Sequence, residues 1–178
     1  METFTEAKEL VFNPNFNKQR KILLSKINYN EIDFPIIGLI KNLSKLDYCF
    51  SLQSCYGHFL YQGENNQYNT NPLPKINNNI NIDYRIAYLA ICVKENQDGK
   101  SFLTNLTKLT LIDPGYIQFG CAEWFWERQL NSFILQVEPQ RFKEKDRITI
   151  DYKEARYIEK TRIQFFAKLD KFVENLIN

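Results

Sequence analysis

Residues 47–58 read Asp47-Tyr48-Cys49-Phe50-Ser51-Leu52-Gln53-Ser54-Cys55-Tyr56-Gly57-His58. Upstream of this stretch apolar residues recur at helical spacing. From Tyr48 to Leu52 they alternate and are rich in aromatics, which predicts a strand. The change of period marks where helices give way to a sheet. The strand then runs into a glycine turn that carries the only histidine of the chain. Phe59-Leu60-Tyr61 predicts a second strand, so the segment is a hairpin or a strand-loop-strand.

Working outward toward the amino terminus, Phe16–Ile27 predicts a helix. Phe16, Leu23, Leu24 and Ile27 share one face, and Lys18, Arg20, Lys21 and Lys26 lie on others. The Asn-rich residues 28–32 predict a turn. Asp33 is a good helix N-cap and Pro35 suits a first helical turn. Ile36, Ile37, Ile40 and Leu43 mark a second helix that ends near Leu46. Residues 1–12 are expected to be loosely ordered.

Toward the carboxyl terminus, residues 63–82 predict a long Asn-rich loop, a length uncommon unless functional or disordered. Arg85–Val93 is the most apolar segment and predicts a buried strand. Asp98-Gly99 marks a turn, and Ser101 can cap a helix from Phe102 to about Leu111, stopped by Asp113-Pro114-Gly115. Tyr116–Gly120 and Ser132–Val137 predict strands, while Ala122–Gln129 fits a strand or a short helix. Asp151-Tyr152-Lys153-Glu154 carries a capping-box signature. Ala155, Ile158, Phe165, Leu169, Phe172 and Leu176 then recur to the end, which predicts a long C-terminal helix. Helices and strands intermix without a composition break. The expected fold is α/β (α+β), a mixed β-sheet packed with helices in a single domain over 1–178.

Composition narrows the classes. In 178 residues, 44% are hydrophobic and 15% aromatic, enough for an ordinary core without disulfides. A disordered tail, a collagen-like repeat and a disulfide-stapled miniprotein are excluded. Net charge is +2, but residues 8–45 and 139–178 are mildly basic and 47–138 mildly acidic, which permits an anionic partner such as RNA. Cys49, Cys55, Cys92 and Cys121 include no CxxC pair, and one histidine cannot make a His-rich site, so no metal site is expected. No secretory leader is recognisable, and the longest uncharged apolar run, Ile86–Val93, is too short for a membrane. The expectation is a soluble cytoplasmic protein with reduced thiols and no membrane partner. The glycine-rich dinucleotide and phosphate loops, HExxH and GxSxG are all absent.

Three groups of residues can carry chemistry. Ser51, Ser54, Cys55, Tyr56, Gly57 and His58 crowd hydroxyls, a thiol, a phenol and an imidazole around a glycine, where backbone N–H groups can form an anion nest. The ordinary alternative is a tight turn over a buried thiol. Trp124 and Trp126 would share one face of a strand and could stack on bases, although a core anchor is the plainer reading. Arg141, Lys143, Arg156 and Lys160 could contact phosphates. Interleaved Glu144, Glu154 and Glu159 make a solvated face the safer reading of those charges taken alone.

The run Lys21-Ile22-Leu23-Leu24-Ser25-Lys26, then Ile32-Asp33, the helix Ile36–Leu43 and the stretch Asp47–His58 together resemble the N-terminal part of the tRNA wybutosine-synthesising protein 3 family. That family has a strand running into Thr-Thr-Ser-Ser-Cys-(small)-Gly-Arg. Ser51 matches the first threonine, Ser54-Cys55 the Ser-Cys and Gly57 the glycine. Leu52, Gln53, Tyr56 and His58 depart from it. Weaker likeness extends to Arg85–Lys94, to Pro114-Gly115-Tyr116-Ile117-Gln118-Phe119-Gly120, to Leu135-Gln136-Val137-Glu138-Pro139 and to the C-terminal helix. The resemblance implies a swapped-hairpin α/β fold and S-adenosylmethionine-dependent methylation of a modified guanosine in tRNA. On this reading Ser51, Cys55, Tyr56 and Gly57 bind the cofactor S-adenosylmethionine. Ser54 and His58 are the catalytic candidates, with His58 accepting a proton. Trp124, Trp126, Arg141, Lys143, Arg156 and Lys160 bind RNA. Replacement of the arginine by His58 removes a bidentate clamp and favours an alternative, a non-catalytic RNA-, ligand- or protein-binding module. A third reading is a thiol enzyme built on Cys55 and His58.

Overall fold

The computed structural model describes residues 4–61, 73, 81–142 and 145–178. The chain begins with strand β1 (Phe4–Thr5), helix α1 (Phe16–Leu24) and helix α2 (Ile37–Leu43). Strands β2 (Cys49–Cys55), β3 (His58–Leu60), β4 (Asn81–Arg85) and β5 (Ala87–Val93) follow. Helix α3 (Gln97–Lys108), strand β6 (Ile117–Ala122), helix α4 (Glu123–Arg128), strands β7 (Ser132–Val137) and β8 (Arg147–Asp151) and helix α5 (Tyr152–Ile177) complete it. The fold is α+β with a long C-terminal helix, as expected. Where one mixed sheet was expected, the strands form two sheets, ordered β1-β6-β7-β5-β2 and β3-β4-β8, and every strand pairing is antiparallel.

The two sheets share one bent ribbon. Cys55 pairs with Tyr88 in the larger sheet, and His58 pairs with Arg85 in the smaller. The register is the same on both sides of the corner. Thus β2–β3 and β4–β5 are the two legs of a single antiparallel ribbon, kinked where Tyr56-Gly57 lies across from Ile86. The predicted strand Arg85–Val93 is therefore divided, with Arg85 ending β4 and Ala87 opening β5. Ile86 N–H donates to Asp146 O at 3.0 Å, which holds the kink to the chain entering β8.

Strand β5 has β2 on one side and β7 on the other, and Leu89–Val93 is buried on both faces. That is why this stretch is apolar throughout rather than alternating. One face packs against the helices. Ala155, Ile158, Phe165, Leu169 and Val173 of α5 are wholly buried there, each large side chain contributing about 2 kcal/mol. Val173 completes this stripe, whereas Leu176, expected inward, is 41% exposed. On the other face a smaller cluster forms from Ala90, Ala122 and Ile134, with Phe4, Trp124 and Phe125 against it.

Several local expectations change with tertiary context. Residues 4–12, expected to be loosely ordered, are tied to the sheet. Phe4 and Thr5 pair with Ala122 and Cys121, and the buried Asn131 amide brackets Val11, accepting from its N–H at 2.9 Å and donating to its carbonyl at 2.7 Å. Helix α3 is capped five residues before the predicted Ser101 cap, because Asn96 Oδ1 accepts from Gly99 N–H at 2.8 Å. The Asp151 cap is found as predicted, accepting from Glu154 N–H at 2.7 Å. Arg20, counted among the surface cations, turns inward and donates to the carbonyls of Ser44, Leu46 and Cys49. It caps the last carbonyls after α2 with a positive charge. Apart from Leu73, Asn81 and Ile82, the predicted Asn-rich loop over 63–82 lies outside the described residues.

Tyr84 fastens the ribbon's corner. Its ring is fully buried and stacks on Phe59 at 4.9 Å. Its hydroxyl donates to Val137 O and accepts from Ala87 N–H, both at 2.9 Å. Burial pushes this phenol well above its ordinary pKa, so it remains a donor at any physiological pH. Tyr84→Phe keeps the ring and strands two buried backbone groups. The expected loss is about 1–3 kcal/mol, read in urea unfolding as a lower midpoint with an unchanged m-value.

Candidate functional site

Strand β2 carries a bulge. Ser51 pairs with Ile91 and Gln53 with Ala90, so Leu52 is the extra residue. Without it, Ser51 and Ser54 would point to opposite faces. With it, both lie on the face of Ile91 and Leu89, their cross-strand partners. They line an open cleft of about 280 Å³ between β2 and the end of α1, with Leu23, Lys26, Ile27, Gln53 and Glu31. Hydroxyls, an amide and an ammonium therefore converge beside an apolar floor.

The turn that follows is closed. Gly57 has φ +87°, and a Cβ there would sit 2.9 Å from Ala87 Cβ and 3.1 Å from the Tyr84 ring. Only glycine fits, for reasons of both conformation and space. Arg162 of α5, 2% exposed, donates to Gly57 O at 2.7 Å. Its guanidinium lies 4.3 Å from the Tyr56 ring centroid and 5.0 Å from that of Phe59. Tyr56 also packs on Phe166. The expected cofactor-binding residues Cys55, Tyr56 and Gly57 thus face the protein's own helix α5 and Asp33, and only Ser51 and Ser54 of the group line a cleft.

Asp33 is the residue the sequence placed in another role. It precedes a 3₁₀ turn, Phe34–Ile36, but its side chain makes no cap bond there. Its carboxylate instead accepts from Tyr56 N–H at 2.6 Å and lies 3.4 Å from His58 Nε2. Cys55 Sγ completes a group whose ligand-type atoms are all within 4.8 Å of one another, and it accepts from Gly57 N–H at 3.4 Å. Burial alone would push the His58 pKa down. Hydrogen bonds to Asp33 and Cys55 outweigh it and raise the value to about 10. Burial would likewise raise Asp33, yet the His58 and Tyr56 bonds hold it below the usual carboxylate range. At neutral pH His58 is an imidazolium that already carries both protons. The base role expected from an ordinary histidine pKa is therefore not open to it there.

A second cavity, of about 170 Å³, lies on the opposite face of the larger sheet. Cross-strand register puts Gln53, Tyr88, Ile134 and Gln136 on one face. Trp124 and Phe125 of α4 cover it, their rings stacked at 3.8 Å. Arg85 and Asp146 stand at the side. Gln136, 4% exposed, donates to Glu138 Oε2 at 2.9 Å. Glu138 is fully buried. Burial, with Asp146 adding and Lys145 opposing, pushes its carboxyl up to about 9. It is therefore an uncharged acid at neutral pH. Neither Gln136 nor Glu138 carried a sequence signal beyond the strand ending at Pro139.

The expected RNA contacts are dispersed. Ala122–Gln129 resolves as a helix, so Trp124 and Trp126 diverge instead of sharing a strand face. Trp124 lines the cavity, whereas Trp126 meets Phe133 edge-on and lies under Lys8. Arg141 is bound by both oxygens of Glu154, and Arg156 pairs with Glu159 at 2.6 Å. Lys160 and Arg156 line a wide groove of about 740 Å³ with Tyr116, Tyr157 and the acidic Asp151, Glu154 and Glu159. Lys143 lies outside the described residues. The charges on this face alternate, and two of its cations are already neutralised. All four cysteines are free and buried, and no described helix is long and apolar enough to cross a membrane.

No protein-family model matches the chain, and no curated protein does. Among solved structures, two of the PH1069 protein from Pyrococcus horikoshii align with it. One aligns at 14% identity over 91% of this chain and 94% of that one, the other at 15% over 95% and 96%, each with a TM-score of 0.47.

The buried Glu138 sets a pH dependence. Its folded pKa lies above the unfolded value, so the folded state keeps a proton that the unfolded chain releases. Its favourable contribution is complete below about pH 4.5 and is lost as pH rises toward about 9. Glu138→Gln removes that slope. Thermal unfolding should show little change near pH 4 and a Tm raised by about 3 °C or more at pH 8.

Proposed function

We propose that this protein is a divergent tRNA-modification enzyme of the cytoplasm that binds S-adenosylmethionine and methylates a modified guanosine. The resemblance of residues 16–60 to the tRNA wybutosine-synthesising protein 3 family motivates the reaction class. The observation that carries the reading is the cavity between Gln53, Tyr88, Trp124, Phe125 and Gln136. Aromatic faces beside a buried amide suit a purine, since rings stack on π surfaces and an amide can pair with a ring edge. Gln53, on this face, adds a second amide that can meet a polar edge of the ligand. Catalysis on this reading is the positioning of a methyl donor against a ring nitrogen. Ser54 orients the ligand, and His58 holds the turn instead of moving a proton.

The engagement of Tyr56, Gly57 and His58 in internal contacts favours a second reading, a non-catalytic module that binds a nucleoside or RNA in the same cavity. Calorimetric titration with S-adenosylmethionine and S-adenosylhomocysteine separates the two. The methyltransferase reading expects a binding isotherm that weakens at least tenfold in Trp124→Ala and Gln53→Ala proteins that still melt cooperatively. Absence of heat and of any thermal shift at millimolar ligand would remove the donor. Binding of free nucleosides or of tRNA alone would then support the module.

A further inference from the structure

We propose that Asp33, Cys55 and His58 form a binding site for a transition-metal ion of the zinc type. This inference does not depend on the nucleoside reading, because none of the three residues lines the cleft or the cavity. They come from three segments, the start of the Phe34–Ile36 turn, the end of β2 and the start of β3. A carboxylate oxygen, a thiol sulfur and an imidazole nitrogen lie within 4.8 Å of one another.

The separations suit an ion between them. In a tetrahedral site with metal–oxygen and metal–nitrogen bonds of about 2.0–2.1 Å, the oxygen–nitrogen edge is about 3.3 Å. The Asp33 Oδ2 to His58 Nε2 distance is 3.4 Å. A charged hydrogen bond of this kind prefers about 2.7–2.9 Å, so the pair sits wider than direct bonding favours and close to the span a shared ion needs. The edges to sulfur in such a site are about 3.5 Å, inside the 4.8 Å that bounds the group.

The surroundings supply what metal ligands ordinarily require. Tyr56 N–H orients the Asp33 carboxylate, and Gly57 N–H points at Cys55 Sγ, the kind of outer contacts that fix ligands in place. Gly57, with no room for a side chain, fixes the path from Cys55 to His58. The His58 side chain is 2% exposed and that of Asp33 17%, so the carboxylate side gives solvent access for a fourth ligand. One sulfur, one nitrogen and one oxygen select zinc, cobalt or copper over magnesium or calcium. Binding expels the thiol and ring protons to solvent and changes no oxidation state.

The test is titration of the reduced, chelator-treated full chain with cobalt(II) at pH 7.5. The expected result is a thiolate-to-cobalt charge-transfer band that saturates at one equivalent and is displaced by zinc. Cys55→Ala should abolish the band, and Asp33→Asn should weaken binding at least tenfold. Lys108→Ala, at an exposed position of α3, should leave both unchanged. Should the Cys55 or Asp33 variants fail to fold, X-ray absorption of the cobalt-loaded wild type decides, one sulfur among nitrogen and oxygen ligands being expected. No band and no zinc-dependent rise in Tm at tenfold excess metal would overturn the proposal, leaving a buried ion pair beside a thiol. A sulfur-free cobalt site, or a band that survives in Cys55→Ala, would overturn it as well.

Discussion

The Tyr84 hydroxyl sits where the two sheets part, and the rest of the arrangement is organised around it. A kinked ribbon leaves backbone groups at its corner that neither sheet can pair. Tyr84 supplies a donor and an acceptor there at once, to Val137 O and from Ala87 N–H. The same ring closes the space under Gly57 and stacks on Phe59. The corner is thus dry, paired and filled by one side chain. Arg162 seals it from the helix side through Gly57 O. Each of these groups is buried, so each would be costly to leave without its partner.

This closure divides the cluster of reactive side chains over residues 51–58 into two parts with different tasks. On either side of the bulge the hydroxyls of Ser51 and Ser54 line an open cleft. Further on, Cys55, Tyr56 and His58 are committed to Asp33 and α5. A single inserted residue, Leu52, brings the two hydroxyls onto one face, and the part that holds the scaffold begins at Cys55. Imidazolium at position 58 keeps a positive charge against Asp33, although its bonding is less directional than that of a guanidinium.

Elements with strong local signals were legible in the sequence. Strand β7 was bounded correctly by its apolar run and by Pro139, and α5 by its capping box and apolar stripe. Strand β8 alternates inward Ile148 and Ile150 with outward residues, yet two isoleucines among charged residues are too short a pattern to predict it. Strand β4, with Ile82 and Tyr84 inward, was hidden at the edge of the Asn-rich region. Helix α4 is too short for its period to be decisive. Asp33 was misplaced for a non-local reason: its carboxylate serves Tyr56 and His58, which arrive only when β2 and β3 fold against the turn. Arg162 was invisible as a buried donor because helical periodicity does not distinguish a guanidinium that enters the core from one that leaves it. The aromatic cavity depends on β-register across three strands, which no local pattern encodes.

The N-terminal arm has a consequence for the order in which the chain assembles. Thr5 reaches Cys121 across 116 residues, and Val11 reaches Asn131 across 120. Gly120 has no room for a side chain because Thr5 O and the Phe4 ring lie over it. The arm, made before its partners, therefore has no native contact in the larger sheet until β6 and β7 have emerged and paired. Contacts of such long sequence separation form slowly because loop closure precedes any compensating contact. Once docked on β6, the arm shields an edge that would otherwise stay open to pairing with another chain.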